Sequence, residues 1–121
     1  MAITFYYGSG SPFSWKVWLA LEHKQLRYEL KLKSLRNGDL KTPEFLAVNP
    51  RGKVPVLVED GGIPICESVA IVEYLDERYP EHPILPGKPE DRAIARRVAA
   101  EVNDYLYLVL RWLLDQTLFR A

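Results

Sequence analysis

Cysteine occurs once in the 121-residue chain, at Cys66, which excludes an internal disulfide framework and fits a reducing compartment. An excess of charge of either sign is missing as well. Acidic and basic residues number 16 each, ten of each sign within residues 1–80 and six of each within 81–121. This even balance argues against nucleic acid or an anionic membrane as partner. No apolar run approaches the ~18 residues of a membrane span, and no charged-then-apolar leader precedes Ile3, so the expected location is the cytoplasm. Histidine occurs only at His23 and His82. Neither lies near other ligand types at metal-binding spacing, and there is no phosphate loop or paired-carboxylate motif, so no metal site is expected.

What is present is a regular alternation of patterns. Ile3 to Tyr7 is β-branched and aromatic, stops at Gly8-Ser9-Gly10, and is too short for a helix, so it predicts a buried strand. Residues 12–24 place Phe13, Val17, Ala20 and Leu21 at helical spacing, with Lys16, Glu22 and Lys24 elsewhere on the wheel. Tyr28, Leu30 and Leu32 alternate with Glu29, Lys31 and Lys33, the period of a half-buried strand. One or two helical turns fit Pro43 to Val48. Val54 to Val58 then faces Ile63 to Ile65 across Asp60-Gly61-Gly62, the residue types of a tight hairpin, with Pro64 marking an edge strand. Residues 68–79 carry Val69, Val72, Leu75 and Tyr79 at helical intervals, with Ser68 as the expected N-cap.

Pro83, Pro86, Gly87 and Pro89 then read as a linker. Beyond it Ile94, Val98, Val102, Tyr105, Val109 and Trp112 predict one long helix, and Leu106, Leu110, Leu113 and Leu114 widen its apolar surface past a single stripe. The expected division is residues 1–80 for the first domain, 81–89 for the linker and 90–121 for the start of a helical domain.

The stretch Gly10 to Val17 is the candidate site. Ser11 has N-cap chemistry and Pro12 suits the first helical position, so the turn presents backbone N–H groups and a hydroxyl at a helix N-terminus, an end that attracts anions including thiolates. Taken alone, these residues also describe a capped helix with no chemistry. Glu67-Ser68 is a second candidate, able to read a zwitterion: the carboxylate takes an ammonium, while the hydroxyl and helix-end N–H take a carboxylate.

Four pieces in order carry a specific resemblance: Ser11-Pro12-Phe13-Ser14 after the first strand, Lys41-Thr42-Pro43-Glu44-Phe45, Asn49 to Leu57, and Glu67-Ser68-Val69-Ala70-Ile71-Val72-Glu73-Tyr74-Leu75. Together they resemble the N-terminal domain of serine-type cytosolic glutathione transferases, including bacterial members and the tau, theta and zeta classes, over essentially all 121 residues. The resemblance implies an α/β fold: a thioredoxin-like βαβ-αββα domain with a mixed four-stranded sheet, followed by a linker and a long helix of an all-α domain. It also implies that Ser11 donates a hydrogen bond to the glutathione sulfur. Lowering a thiol pKa from ~8.5 to ~7 corresponds to about 2 kcal/mol and raises the neutral-pH thiolate roughly fifteenfold. Ser11 and Ser14 occupy the two cysteine places of thioredoxin-fold reductases, so disulfide exchange by the protein's own thiols is excluded there. By the same resemblance, Glu67 and Ser68 hold the free amino-acid end of glutathione, a cis Val54–Pro55 bond turns the Val54 backbone toward its cysteinyl unit, and Lys41 and Lys53 meet its glycine carboxylate.

Tyr6 and Tyr7 are rivals to Ser11, since tyrosine-type relatives use a hydroxyl near the end of strand one; both also suit plain core packing. Cys66 reads as a small buried hydrophobe, and Trp15, Trp18 and Trp112 as core or interface residues. The expected activity is attack of the glutathione thiolate on a small hydrophobic electrophile, with glutathione as co-substrate, no other cofactor, and a homodimer as the assembly. The alternatives are a glutathione-dependent peroxidase, isomerase or dehalogenase, or a binding or dimerisation module without turnover. The apolar helix that runs to Leu118-Phe119-Arg120-Ala121 without a Gly or Asn stop leads us to expect an incomplete unit that self-associates through residues 94–119.

Overall fold

The computed structural model describes residues 2–117, so the expectation about Leu118 to Ala121 lies outside the described residues. The chain divides into two compact units, Met1–Ile84 and Leu85–Ala121. In the first, the order is β1 (Ile3–Tyr7), α1 (Pro12–His23), β2 (Glu29–Leu32), a 3-10 turn (Asp39–Lys41), α2 (Pro43–Val48), β3 (Val56–Glu59), β4 (Ile65–Cys66) and α3 (Ser68–Arg78). The sheet runs β2-β1-β3-β4, with β1 parallel to β2 and antiparallel to β3, and β3 antiparallel to β4. This is the mixed four-stranded sheet that the family resemblance implied.

Side-chain alternation along β1 assigns its two faces. Ile3 and Phe5 are buried in a cluster with Val17, Ala20 and Leu21 of α1, Leu57 of β3, and Ile71 and Leu75 of α3, and Tyr7 packs against it. On the opposite face the Tyr6 ring lies 5.9 Å from that of Phe45 on α2. Helices α1 and α3 therefore cover one face and α2 the other. Fully burying one of these aliphatic or aromatic side chains contributes about 1.5–3 kcal/mol.

Several boundaries differ from expectation. The strand expected from Val54 starts at Val56 and runs to Glu59, and its partner is Ile65–Cys66 rather than Ile63 to Ile65. Pro55 and Pro64, which have no backbone N–H to donate to a ladder, stand immediately before the two strands and keep both segments from pairing earlier. β2, at one edge of the sheet, is exposed throughout rather than half-buried, with Leu30 41% and Leu32 54% accessible. Helix α1 ends at His23, and Lys24 is its C-cap. Lys24 is buried, although its place on the helical wheel was polar.

Glu59 closes β3 with a cluster of its own. Its carboxylate accepts hydrogen bonds from the Tyr74 and Tyr79 hydroxyls and lies 3.7 Å from the Arg78 guanidinium. Burial by itself pushes this carboxyl up, but the two phenol hydrogen bonds and Arg78 outweigh it and hold it below the ordinary value of 4.5. A depressed folded-state value means stability that is fully present above about pH 4.5 and lost as pH falls through the folded value. Thermal unfolding of the protein and of Glu59→Gln, compared from pH 7 to pH 3, should show a gap at neutral pH that closes in acid. A gap independent of pH would remove this cluster as an acid-labile element.

The second unit is a helix with a change of pitch. It contains α4 (Pro89–Glu101), a π-helical turn (Val102–Leu106) and α5 (Tyr107–Thr117). Salt bridges spaced i,i+4 join Arg97 to Glu101 at 3.4 Å and Arg111 to Asp115 at 3.0 Å. The wider turn resets the phase of the apolar stripe, which a search at 3.6 residues per turn does not register. Ile94, Val98, Tyr105, Val109 and Trp112 are exposed. Among the described residues no helix is long and apolar enough to cross a membrane.

Candidate functional site

Strand register brings the candidate residues to one end of the sheet. Tyr6 pairs with Val56, and Val56 with Cys66. The end of β1, the start of β3 and the end of β4 therefore coincide. From that edge emerge the Gly8–Ser11 turn, the Val54–Pro55 bond and Glu67-Ser68.

The turn after β1 is fixed by three hydrogen bonds. Ser11 N–H donates to the Gly8 carbonyl at 3.1 Å, Gly8 N–H donates to Ser14 Oγ at 3.2 Å, and Ser14 N–H donates to Ser11 Oγ at 3.3 Å. Ser11 is thus the N-cap of α1, as expected. Its oxygen accepts the Ser14 N–H, which leaves its proton to be donated elsewhere. Ser14 is fully buried, and its hydroxyl serves the turn. Tyr7 also points into packing, its ring 4.9 Å from that of Trp18. Tyr6 faces α2, with the Lys33 ammonium 5.9 Å from its ring centre.

The Val54–Pro55 bond is cis. Behind it, Asn49 is buried and ties the approach to β3: its side-chain amide donates to the Lys53 carbonyl at 2.8 Å and accepts from Arg51 N–H at 3.1 Å. Gly52 has a φ of +61°, and a Cβ there would lie 2.8 Å from the Leu40 carbonyl and 3.2 Å from Lys41 Nζ. The left-handed φ and the approach of the Leu40 carbonyl require glycine here, whereas the flexible Lys41 side chain could move aside. Lys41 and Lys53 are both exposed.

The start of α3 departs from expectation. Glu67, with a φ of +70°, is the cap residue, and Ser68 is the first residue of the helix. Unlike α1 and α2, whose Ser11 and Thr42 side chains accept a backbone N–H, α3 has no side-chain cap. Its leading N–H groups remain as an anion-attracting end. Glu67 lies 3.7 Å from Arg51, both side chains largely exposed, a pair worth about 0–1 kcal/mol and easily exchanged for another cation. Ser68 is buried and accepts a hydrogen bond from Lys16 Nζ at 3.2 Å.

Cys66, expected to be buried, is half-exposed. Burial first, and then the Glu67 charge, push its thiol up, partly offset by Arg51. It is poorly suited to be a nucleophile at neutral pH. His23 and His82 meet, their rings 6.5 Å apart and edge-on, but among the described residues no cluster of His, Cys, Asp or Glu could hold a metal. Sequence reading missed Lys16 and Arg51. Both are charged residues whose role follows from partners that no local pattern announces.

The model of the glutathione S-transferase N-terminal domain matches residues 10–78. A zeta-class glutathione S-transferase of Euphorbia esula is 48% identical over 93 residues, covering 77% of this chain and 41% of that protein. A maleylacetoacetate isomerase of Pseudomonas aeruginosa is 43% identical over 105 residues, covering 85% and 49% respectively. The solved structure of a maleylacetoacetate isomerase from Methylobacterium extorquens AM1 with bound malonate and GSH superposes with a TM-score of 0.79 at 39% identity, covering 82% of this chain and 46% of that one. The chain thus spans less than half the length of these relatives. With more than half of its residues matched by the family model and the expected mixed four-stranded sheet in place, the chain belongs to the family of glutathione S-transferase N-terminal domains.

Proposed function

We propose that the chain binds glutathione and ionises its thiol for attack on a small hydrophobic electrophile, with Ser11 as the catalytic residue. The observation that carries this reading is the convergence, at one sheet end, of the Ser11 hydroxyl at a helix N-terminus, the cis Val54–Pro55 bond and an uncapped α3 behind Glu67. Ser11 has an oxygen already engaged by the Ser14 N–H and a proton to give. A thiolate in front of it receives that proton as a hydrogen bond and the positive end of α1 as a partial charge. Val54 supplies backbone groups for a strand-like pairing with the cysteinyl unit. Glu67 takes the γ-glutamyl ammonium, Ser68 and the α3 N-terminus take the neighbouring carboxylate, and Lys41 and Lys53 take the glycine carboxylate. In the same proposal the assembly is a cytosolic homodimer and residues 81–89 are the linker.

Ultraviolet titration of the thiolate in the glutathione complex tests the proposal. The bound thiol should titrate at least one unit below free glutathione, which corresponds to about 1.4 kcal/mol of preference for the thiolate. A bound thiol that titrates no lower would sink it. The isomerase names among the relatives favour a second reading, in which the thiolate adds to an unsaturated acceptor and is later expelled. Conjugation consumes one glutathione per turnover, whereas addition followed by expulsion regenerates it, so a glutathione balance separates the two.

A further inference from the structure

Lys16 lies five residues into α1 from Ser11, and its ammonium reaches across to the first residue of α3, 3.2 Å from Ser68 Oγ. It is half-buried, its ammonium 5.6 Å from the Phe13 ring centre, and burial lowers it from the ordinary lysine value. An ammonium has three donors and no acceptor, so in this contact Lys16 can only donate. A hydroxyl that accepts on its oxygen must direct its proton elsewhere. Ser68 is itself buried, and the α3 N-terminus beside it has no side-chain cap. A serine in such a place could otherwise turn its proton back to a nearby backbone carbonyl.

We propose that Lys16 is a positioning residue for the carboxylate end of the ligand: by donating to Ser68 Oγ it fixes the Ser68 hydroxyl as a hydrogen-bond donor, aimed with the α3 N–H groups at the γ-glutamyl carboxylate. The inference rests on the glutathione reading above and deepens it. It also pairs the two hydroxyls of the site. Ser11 is set as a donor by the Ser14 N–H, and Ser68 by Lys16. In each case an N–H occupies the oxygen and frees the hydroxyl proton for an anion, a sulfur in one case and a carboxylate in the other.

The test uses calorimetric binding of glutathione and of 4-aminobutyryl-cysteinyl-glycine, which is glutathione without that carboxylate. Lys16→Met should weaken glutathione about tenfold to a hundredfold, the range for charge-assisted hydrogen bonds, while leaving binding of the analogue within about twofold of wild type. Lys16→Arg, which can still donate, should recover most of the affinity. In a Ser68→Ala background the cost of Lys16→Met should shrink markedly, because the hydroxyl it orients is gone. In steady-state assays KM for glutathione should rise with kcat nearly unchanged. Equal loss for glutathione and the analogue, or full additivity with Ser68→Ala, would assign Lys16 a structural role and overturn the inference. Wild-type protein that binds glutathione no more tightly than Lys16→Met does would overturn it as well. Failure of wild type to bind glutathione at all would instead overturn the parent reading. Should Lys16→Met fold poorly, Lys16→Leu, which likewise has no donor, run through the same two-ligand comparison distinguishes the same outcomes.

Discussion

Replacing Ser11 by alanine is expected to lower turnover about 10²–10³-fold while changing glutathione affinity only a few-fold, the pattern of a donor that meets charge on the reacting atom. The backbone has little reason to move. Ser11 N–H still donates to the Gly8 carbonyl, and the Gly8 to Ser14 bond is independent of the Ser11 side chain. What the substitution removes is the capping hydrogen bond from Ser14 N–H to Ser11 Oγ, and removing an N-cap costs about 0.5–2 kcal/mol of stability. That stability loss is separable from the catalytic one. In the complex, the thiol bound to Ser11→Ala should titrate close to free glutathione, because the largest stabiliser of the thiolate is gone and the helix end alone contributes about 0.3–1 kcal/mol. Ser68→Ala should show the reverse, weaker binding with turnover retained at saturation. Steady-state kinetics and thiolate absorbance of both variants decide the matter. A Ser11→Ala protein with unchanged kcat and an unchanged bound-thiol titration would move the assignment to another hydroxyl. Tyr6 would inherit it, since Ser14 is fully buried in the turn and Tyr7 is packed on Trp18.

Elements built from a strong local period were legible in the sequence. β1 and α1 stand where the β-branched run and the Phe13, Val17, Ala20, Leu21 spacing put them, and Ser11 caps as its chemistry suggests. What failed locally depends on distant neighbours. Leu30 and Leu32 have the alternation of a half-buried strand, but β2 is the sheet edge and both side chains are exposed. The strand pattern says which residues share a face; it does not say whether anything covers that face. The start of α3 was misread by one residue because serine is the commoner cap. The left-handed φ of Glu67 belongs to a conformation that propensity does not assign to glutamate. At the site, the hydroxyls were legible by type and position, whereas the groups that orient them were not. Lys16 and Lys24 both fell on the polar side of a helical wheel, where the ordinary reading is a solvated charge, and each finds its partner on or beyond α3, more than fifty residues later.

Lys24 carries the largest stability effect expected. Its side chain is entirely inaccessible, 2.8 Å from Asp76 Oδ1, and it donates to the carbonyls of Tyr79 at 2.7 Å, His82 at 3.3 Å and Glu81 at 3.4 Å. These carbonyls belong to the chain leaving α3, the negative end of that helix, where a cation is favoured. Asp76 Oδ1 also accepts the Ile84 N–H at 2.8 Å, so one ion pair ties the C-terminal ends of α1 and α3 to the segment that follows. Lys24→Met keeps most of the volume but takes the ammonium away from a carboxylate and three carbonyls. The expected loss is about 3–5 kcal/mol, as when one partner of a buried pair is removed. Asp76→Asn should cost a similar amount, by leaving the ammonium buried without a counter-charge. The double variant should lose less than the sum of the two, since it removes both charges together. Urea unfolding at neutral pH measures all three, and a loss below about 1 kcal/mol for Lys24→Met would refute the assignment. Ser11 and Ser68 lie at the opposite, N-terminal ends of the same two helices. Folded Lys24→Met should therefore bind glutathione as the parent does, so that its defect reads in unfolding and not in affinity.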